Sequence, residues 1–212
     1  MEGGVFIADS RLFFSQELSA VLRDRGVKVV LTGNKNDEGE SIKYEIEWDR
    51  ASIFSLQSIK LQLKNIGIPL DVAVFIFDAP SYLELYSYSN ITTLDKTITE
   101  LITANIALNT MLKNYFIKQG NGKLIFVYRA APLPSNNVAV MAASGAFIKM
   151  AEETVSSFLK DEKPVIKTLL LKLEGKEEGA ADWLSSQLEL PNFSKMQGKW
   201  IRAGQKSIFG KY

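Results

Sequence analysis

Proton transfer is the chemistry these residues would most readily support, and the groups available for it are few. The sequence holds no histidine and no cysteine, which removes the commonest general base, the thiolate nucleophile and disulfides. A structural zinc site falls with them, since its usual ligand sets need one or the other. Tyrosine, lysine, serine and the carboxylates remain. Tyr128, ending an apolar run, and Lys149, on an alanine-rich helix, are conceivable as an improvised acid/base pair. The plainer reading makes Tyr128 a strand-end residue and Lys149 a solvated helix residue. Ser10 and Arg11 at a helix start could attract an anion, although capping by Asp9 or Ser10 is the favoured account of that segment. Asp49 precedes another helix, where a lone aspartate is usually a cap or a turn residue.

The elements that must position these groups follow from hydrophobic periodicity. Val5 to Ala8 reads as a short buried strand, Leu12 to Arg25 as a helix closed by Gly26, and Val27 to Leu31 as a second strand. This β-α-β opening builds a parallel sheet. Gly33 to Ser41 is a polar loop, and Ile42 to Trp48 alternates as a third strand with Tyr44, Ile46 and Trp48 on one face. Ser52 can cap a helix running through Lys64. Asp71 to Phe77 is nearly all apolar, as a central parallel strand covered on both faces must be, and Pro80 ends it. Thr93 to Lys118 is one long helix by its apolar spacing. Gly120 to Gly122 turns the chain into a strand over Lys123 to Tyr128. A helix from Val138 to Leu159, a strand from Val165 to Leu173, a helix from Gly179 to Leu188 and a strand from Lys199 to Ala203 complete the order. The expectation is one α/β domain over residues 1–212, a doubly wound parallel sheet of about seven strands with helices on both faces.

Composition excludes several function classes. Apolar residues make up 46% and charged residues 23% of 212 residues, with 25 basic against 24 acidic side chains. That balance, with basic residues scattered, argues against a nucleic-acid surface. No run approaches the ~20 apolar residues that span a bilayer. The start, Met1-Glu-Gly-Gly, is unlike a signal peptide, so a cytoplasmic location is expected. Asn90-Ile-Thr92 and Asn192-Phe-Ser194 fit the glycosylation pattern but carry little weight without a secretory signal.

Four segments, in order and at the right spacing, resemble short-chain dehydrogenases/reductases across nearly the whole chain. Arg23-Asp-Arg-Gly26-Val-Lys-Val-Val-Leu-Thr-Gly33 looks like the end of that family's first helix and its second strand. Asp71-Val-Ala-Val matches the lead-in to the fourth strand. Lys118-Gln-Gly-Asn-Gly-Lys-Leu-Ile-Phe-Val looks like the turn and strand before the catalytic serine. Gln197-Gly-Lys-Trp-Ile-Arg-Ala-Gly204 is similar to the final strand. The resemblance implies a Rossmann-like fold, an NAD(P) cofactor and a Ser, Tyr and Lys catalytic trio.

The functional positions depart from that pattern. The family's glycine-rich phosphate turn falls on Ala8-Asp-Ser-Arg-Leu-Phe-Phe-Ser15, where every glycine is replaced and Asp9 adds negative charge. The Asn-Asn-Ala-Gly motif falls on Phe75-Ile-Phe-Asp78. The helix asparagine falls near Leu101 or Ile102, with Asn105 about a turn later. Asp49 matches an aspartate that can contact adenine and is the one weak cofactor-binding candidate. The serine, tyrosine and lysine positions hold Arg129, Met141 and Gly145, and no tyrosine in the chain has a lysine four residues on. Glu174-Gly-Lys-Glu-Glu-Gly179 leads almost directly into the next helix where the family carries a substrate lid.

The expectation is therefore a pseudoenzyme with no catalytic residues, no metal and no cofactor, NAD(P) being disfavoured by the lost glycine turn. It would serve as a structural or regulatory subunit, a homodimer or homotetramer, or a heteromer with an active homologue. The family's association surfaces would supply the contacts: the two long helices, the second rich in Ala139, Ala142, Ala143, Ser144, Gly145 and Ala146, and the Trp200 strand. The alternative is a divergent NAD(P)-dependent oxidoreductase acting on a carbonyl or alcohol. A third reading makes Phe13, Phe14, Phe75 and Phe77 the lining of an apolar ligand pocket.

Overall fold

The structure, a computed structural model, describes residues 3–33, 44–87, 90–131, 136–160, 165–174, 178–189 and 198–203. Seven strands form one sheet: β1 (Gly4–Ile7), β2 (Val29–Gly33), β3 (Glu45–Glu47), β4 (Leu70–Asp78), β5 (Gly122–Arg129), β6 (Ile166–Leu173) and β7 (Trp200–Arg202). Their spatial order is β3-β2-β1-β4-β5-β6-β7, and every neighbouring pair is parallel. The order reverses between β1 and β4, which opens a crevice over the carboxyl ends of those two strands. β4 runs in register with β5 from Val72↔Lys123 to Asp78↔Arg129. It is buried almost throughout, as its apolar run requires.

The helices are α1 (Phe13–Asp24), α2 (Ile53–Ile66), α3 (Ala79–Leu85), α4 (Ile91–Ile98), α5 (Ala104–Gln119), α6 (Val138–Leu159) and α7 (Ala180–Glu189). α1 packs with α7 on one face of the sheet, while α2 packs with α5, and α4 with α6, on the other. Phe75 stacks on Phe126 with ring centroids 5.3 Å apart, and Phe147 of α6 lies 5.3 Å from Phe77. One continuous core thus joins β4, β5 and α6.

Four local features differ from the sequence expectation. Pro80 opens a helix, α3, instead of merely ending β4. Proline lacks only an N–H that the first turn does not need, and Asp78 caps that turn by accepting from Ser81 N at 3.4 Å. The long helix starts earlier, where Asn90 accepts from Thr93 N at 2.8 Å, and a π turn over Thr99–Thr103 interrupts it. Ser52 stands at the N-cap of α2 without a side-chain hydrogen bond. The Asp49 carboxylate supplies the turn before that helix by accepting from Ala51 N at 3.0 Å. The third strand is shorter than Ile42 to Trp48, whose first two residues lie outside the described ones. Its expected inner face holds, with Ile46 and Trp48 buried and Tyr44 half-buried.

Candidate functional site

The crevice at the β1/β4 reversal is built from the top of β1 outward. Asp9 N donates to Thr32 Oγ1 at 2.9 Å and Ser10 N to Thr32 O at 2.7 Å, so the loop after β1 is pinned to β2. Asp9 adopts φ 73° and is the one non-glycine with positive φ among the described residues. It stands where the family turn has its first glycine, and it keeps a glycine-like backbone; aspartate tolerates that region better than most side chains. The expected capping of α1 by Asp9 or Ser10 is not what the loop does. Leu12 occupies the N-cap with no side-chain bond, because the Asp9 side chain is turned into the crevice.

There its carboxylate, 3% exposed, is the hub of a buried network. Arg11 donates to it through Nε at 2.8 Å and Nη2 at 2.9 Å, and the Tyr82 hydroxyl donates at 2.8 Å. Arg50 Nη1 lies 3.1 Å from Oδ2. Glu100 on the π turn balances the second guanidinium. Its Oε2 accepts from Arg11 Nη1 at 3.2 Å and from the Tyr86 hydroxyl at 2.5 Å, and its carbonyl accepts from Arg50 Nε at 3.1 Å. Asn105 accepts from Arg50 Nη2 at 2.7 Å, and the Trp48 ring lies 4.2 Å from the Arg50 guanidinium. Two carboxylates and two guanidiniums make the cluster neutral, with exposed Lys96 at its mouth, 3.7 Å from Glu100.

Burial alone would raise the Asp9 carboxyl; the charges of Arg50 and Arg11, with hydrogen bonds from Arg11 and Tyr82, hold it well below the usual carboxylate range. Burial raises both tyrosine hydroxyls, Tyr82 further by the Asp9 charge and Tyr86 by its bond to Glu100. Asp9 is thus held charged and the two tyrosines neutral around neutral pH, the opposite of what a proton-transfer site needs. Only about 80 Å³ is left beside the network, against the ~300–1,000 Å³ of small-molecule sites. Neither the space nor the net charge suits a pyrophosphate on the floor of the crevice.

A second ion pair closes the ends of β4 and β5. Asp78, 1% exposed, accepts from Arg129 Nε at 2.9 Å, from Arg129 Nη2 and from Ser81 Oγ at 2.9 Å. Arg129, at the serine position of the resemblance, is therefore committed to Asp78. Met141 is half-buried against the core, and Gly145 faces open space, since a Cβ there would meet nothing within 4 Å. Tyr128 and Lys149 are not brought together. Tyr128 shares a 2.9 Å hydrogen bond with Ser144 and packs edge-on against Trp200, while exposed Lys149 pairs with Glu153 at 2.7 Å. Asp49 lies at the crevice mouth, exposed, with its carboxylate engaged in the α2 turn. The phenylalanine pocket is not assembled: Phe13 is 68% exposed, and Phe14, Phe75 and Phe77 are core residues. No cluster of carboxylates fit for a metal occurs among the described residues.

Sequence reasoning missed Arg50, Tyr82, Tyr86 and Glu100. A signal existed in Tyr82 and Tyr86, four apart and so on one helix face, and in Glu100, an acid set between the apolar residues Ile98 and Leu101 of a long helix.

The fold places the chain among short-chain dehydrogenase/reductase structures. A metagenomic short-chain oxidoreductase in complex with NADP superposes with TM-score 0.72 at 12% identity, over 97% of this chain and 99% of that one. A short chain dehydrogenase of Bacillus anthracis gives TM-score 0.72 at 15% identity over 94% of each chain. Acetoin dehydrogenase of Salmonella typhimurium gives 0.70 at 15% identity, over 96% of this chain and 94% of that one. The protein has the short-chain dehydrogenase/reductase fold in divergent form. Within that class it belongs to one family with an uncharacterized protein of Treponema pallidum (strain Nichols), 42% identical over 214 residues, all of this chain and 97% of the other. No family model matches the chain.

Proposed function

We propose that the protein is a catalytically degenerate short-chain dehydrogenase-like subunit of the cytoplasm, structural or regulatory, that self-associates or pairs with an active homologue. One observation carries this reading. The crevice where such folds hold a dinucleotide is filled by the chain's own Asp9–Arg11–Arg50–Glu100 network, neutral and nearly without space. Arg129, Met141 and Gly145, at the catalytic positions, offer no acid or base matched to a carbonyl. No helix among the described residues is long and apolar enough to cross a membrane.

What remains available is surface. Ala142 and Gly145 on α6 are exposed and permit close helix approach. Ile91 and Val138 are 86% and 78% exposed on α4 and α6, more apolar surface than these helices need for their own packing. The divergent oxidoreductase remains the second reading, supported by the Tyr128–Ser144 hydroxyl pair and by neighbours described with NADP or NADH.

Titration with NADH and NADPH, read through cofactor and tryptophan fluorescence, separates the two. The proposal expects no saturable signal; dissociation in the micromolar range would sink it. Light scattering should give a mass above the monomer alone or after co-expression with an active homologue, and Gly145→Glu should lower it.

A further inference from the structure

A groove lies between α2 and α5 at the amino-terminal edge of the sheet, at the far end of the strands from the crevice. Its floor is apolar, with Leu63 and Leu112 buried and Met111 and Tyr115 half-buried. The Tyr115 hydroxyl accepts from Leu70 N at 3.2 Å, and Gln119 Nε2 donates to Leu70 O at 2.8 Å. These bonds tie the floor to the start of β4 and fix its shape. The groove measures about 760 Å³, within the ~300–1,000 Å³ of small-molecule sites and predominantly apolar as they are.

Its charge is one-sided. Lys60 and Lys64 on α2 and Lys118 on α5 stand exposed on the two rims, and no carboxylate lines the groove among the described residues. Neither α2 nor α5 contains an Asp or Glu, in a chain otherwise balanced at 25 basic and 24 acidic residues. Both helices end here, and each carboxyl end contributes roughly half a negative charge. Three lysines outweigh that. Twelve residues line the groove, about half of the ~20–30 that a stable protein interface takes from each side, which favours a small ligand over a protein partner.

We propose that this groove binds a long-chain fatty acid, its carboxylate between the rim lysines and its alkyl chain along Leu63, Met111, Leu112 and Tyr115. The site is independent of the crevice and of the non-catalytic reading.

The probe is cis-parinarate, a naturally fluorescent fatty acid, titrated into the full chain. The expected result is saturable enhancement at one ligand per chain, reversed by oleate and much less by oleyl alcohol, which lacks the charge. Lys64→Glu and Lys118→Glu should each weaken binding about fivefold, the scale of one exposed ion pair. Lys149→Glu on α6 should change nothing. The oleate and oleyl alcohol comparison uses the unaltered protein, so it stands even if a variant misfolds. Equal competition by the two would overturn the proposal, as would absence of saturation or wild-type binding by both rim variants. Displacement only by phosphatidylglycerol vesicles would assign the lysines to a lipid surface. Loss of binding as protein concentration rises would make the groove an interface between copies.

Discussion

Replacing Asp9 by Asn tests whether the crevice is held by charge. Asparagine matches aspartate in size and tolerates left-handed backbone, so φ 73° is retained. What disappears is the negative charge facing Arg11 and Arg50, which leaves Glu100 to balance two guanidiniums. Removing one partner from a buried ion set costs about 3–5 kcal/mol. The new amide oxygen can still accept from Arg11, so the lower end, about 3 kcal/mol, is expected. Against a total stability of about 5–15 kcal/mol this is a large fraction. Urea unfolding should show the midpoint fall by about 1 M or more, given slopes of about 1–3 kcal/mol/M. Trp48, 4.2 Å from the Arg50 guanidinium, adds a local fluorescence reporter. The pH dependence gives a second check. The folded Asp9 carboxyl sits below its ordinary value of 3.8, so its stabilisation is present above that value and is lost as pH falls through the folded one. The gap between wild type and variant should be constant from about pH 8 to 5 and narrow below about pH 4. A midpoint shift worth less than about 1 kcal/mol at neutral pH, or a gap that does not narrow in acid, would refute the argument.

Four further outcomes follow from the same contacts. Tyr82 and Tyr86 should be missing from the ordinary tyrosine wave in an alkaline absorbance titration, since both hydroxyls are raised. The stability they confer is full below about pH 10 and lost as pH climbs, and Tyr82→Phe and Tyr86→Phe should leave the early wave unchanged. Arg129→Ala strands the Asp78 carboxylate in the core and should cost about 3–5 kcal/mol in urea, whereas Asp78→Asn with Arg129→Leu should recover much of it. Gly122→Ala would drive a methyl into the Phe116 ring, costing about 1–3 kcal/mol, read as a lower melting temperature. Asp9→Gly keeps the backbone but frees two guanidiniums, so pyrophosphate should raise its melting temperature while leaving wild type unmoved. An equal response in both would show that Asp9 is not what excludes anions.

The sheet was legible because its signals are strong and local. β4 and β5 carry unbroken apolar runs over residues 72–77 and 124–127, and the glycines at 26 and 120 mark helix ends with φ 74° and 81°. Misreadings arose where one residue has two roles. Pro80 both leaves a strand and starts a helix, and the sequence around it does not say which. The π turn was invisible because Ile98, Leu101 and Leu108 keep helical spacing through it. At the site the sequence showed only where the chain departs from the resemblance: the missing glycines, and Met141 and Gly145 at the tyrosine and lysine positions. The network itself was not legible. Asp9, Arg50, Tyr82 and Glu100 come from four separate segments, and nothing local in any of them tells that the other three will surround it. Asp9 and Ser10 accordingly read as caps, which is what those residue types do when no tertiary partner competes.

A buried ionic network is a poor device for stability alone, since apolar side chains of similar volume often do as well or better. Its presence in the crevice therefore needs a reason beyond packing. The backbone supplies one: Asp9 keeps a left-handed conformation with its amide bound to Thr32, and its carboxylate accepts from Arg11 N at 3.3 Å. An apolar side chain there would leave the Arg11 amide and the buried guanidinium groups without that acceptor, whereas a carboxylate meets them with charge. Arg11, Arg50 and Tyr82 are the partners that the burial of the Asp9 charge demands. The network thus satisfies from within the chain the charges that the crevice buries. The proposed subunit role then rests on the outer faces of α4 and α6, where Ile91 and Val138 stand exposed.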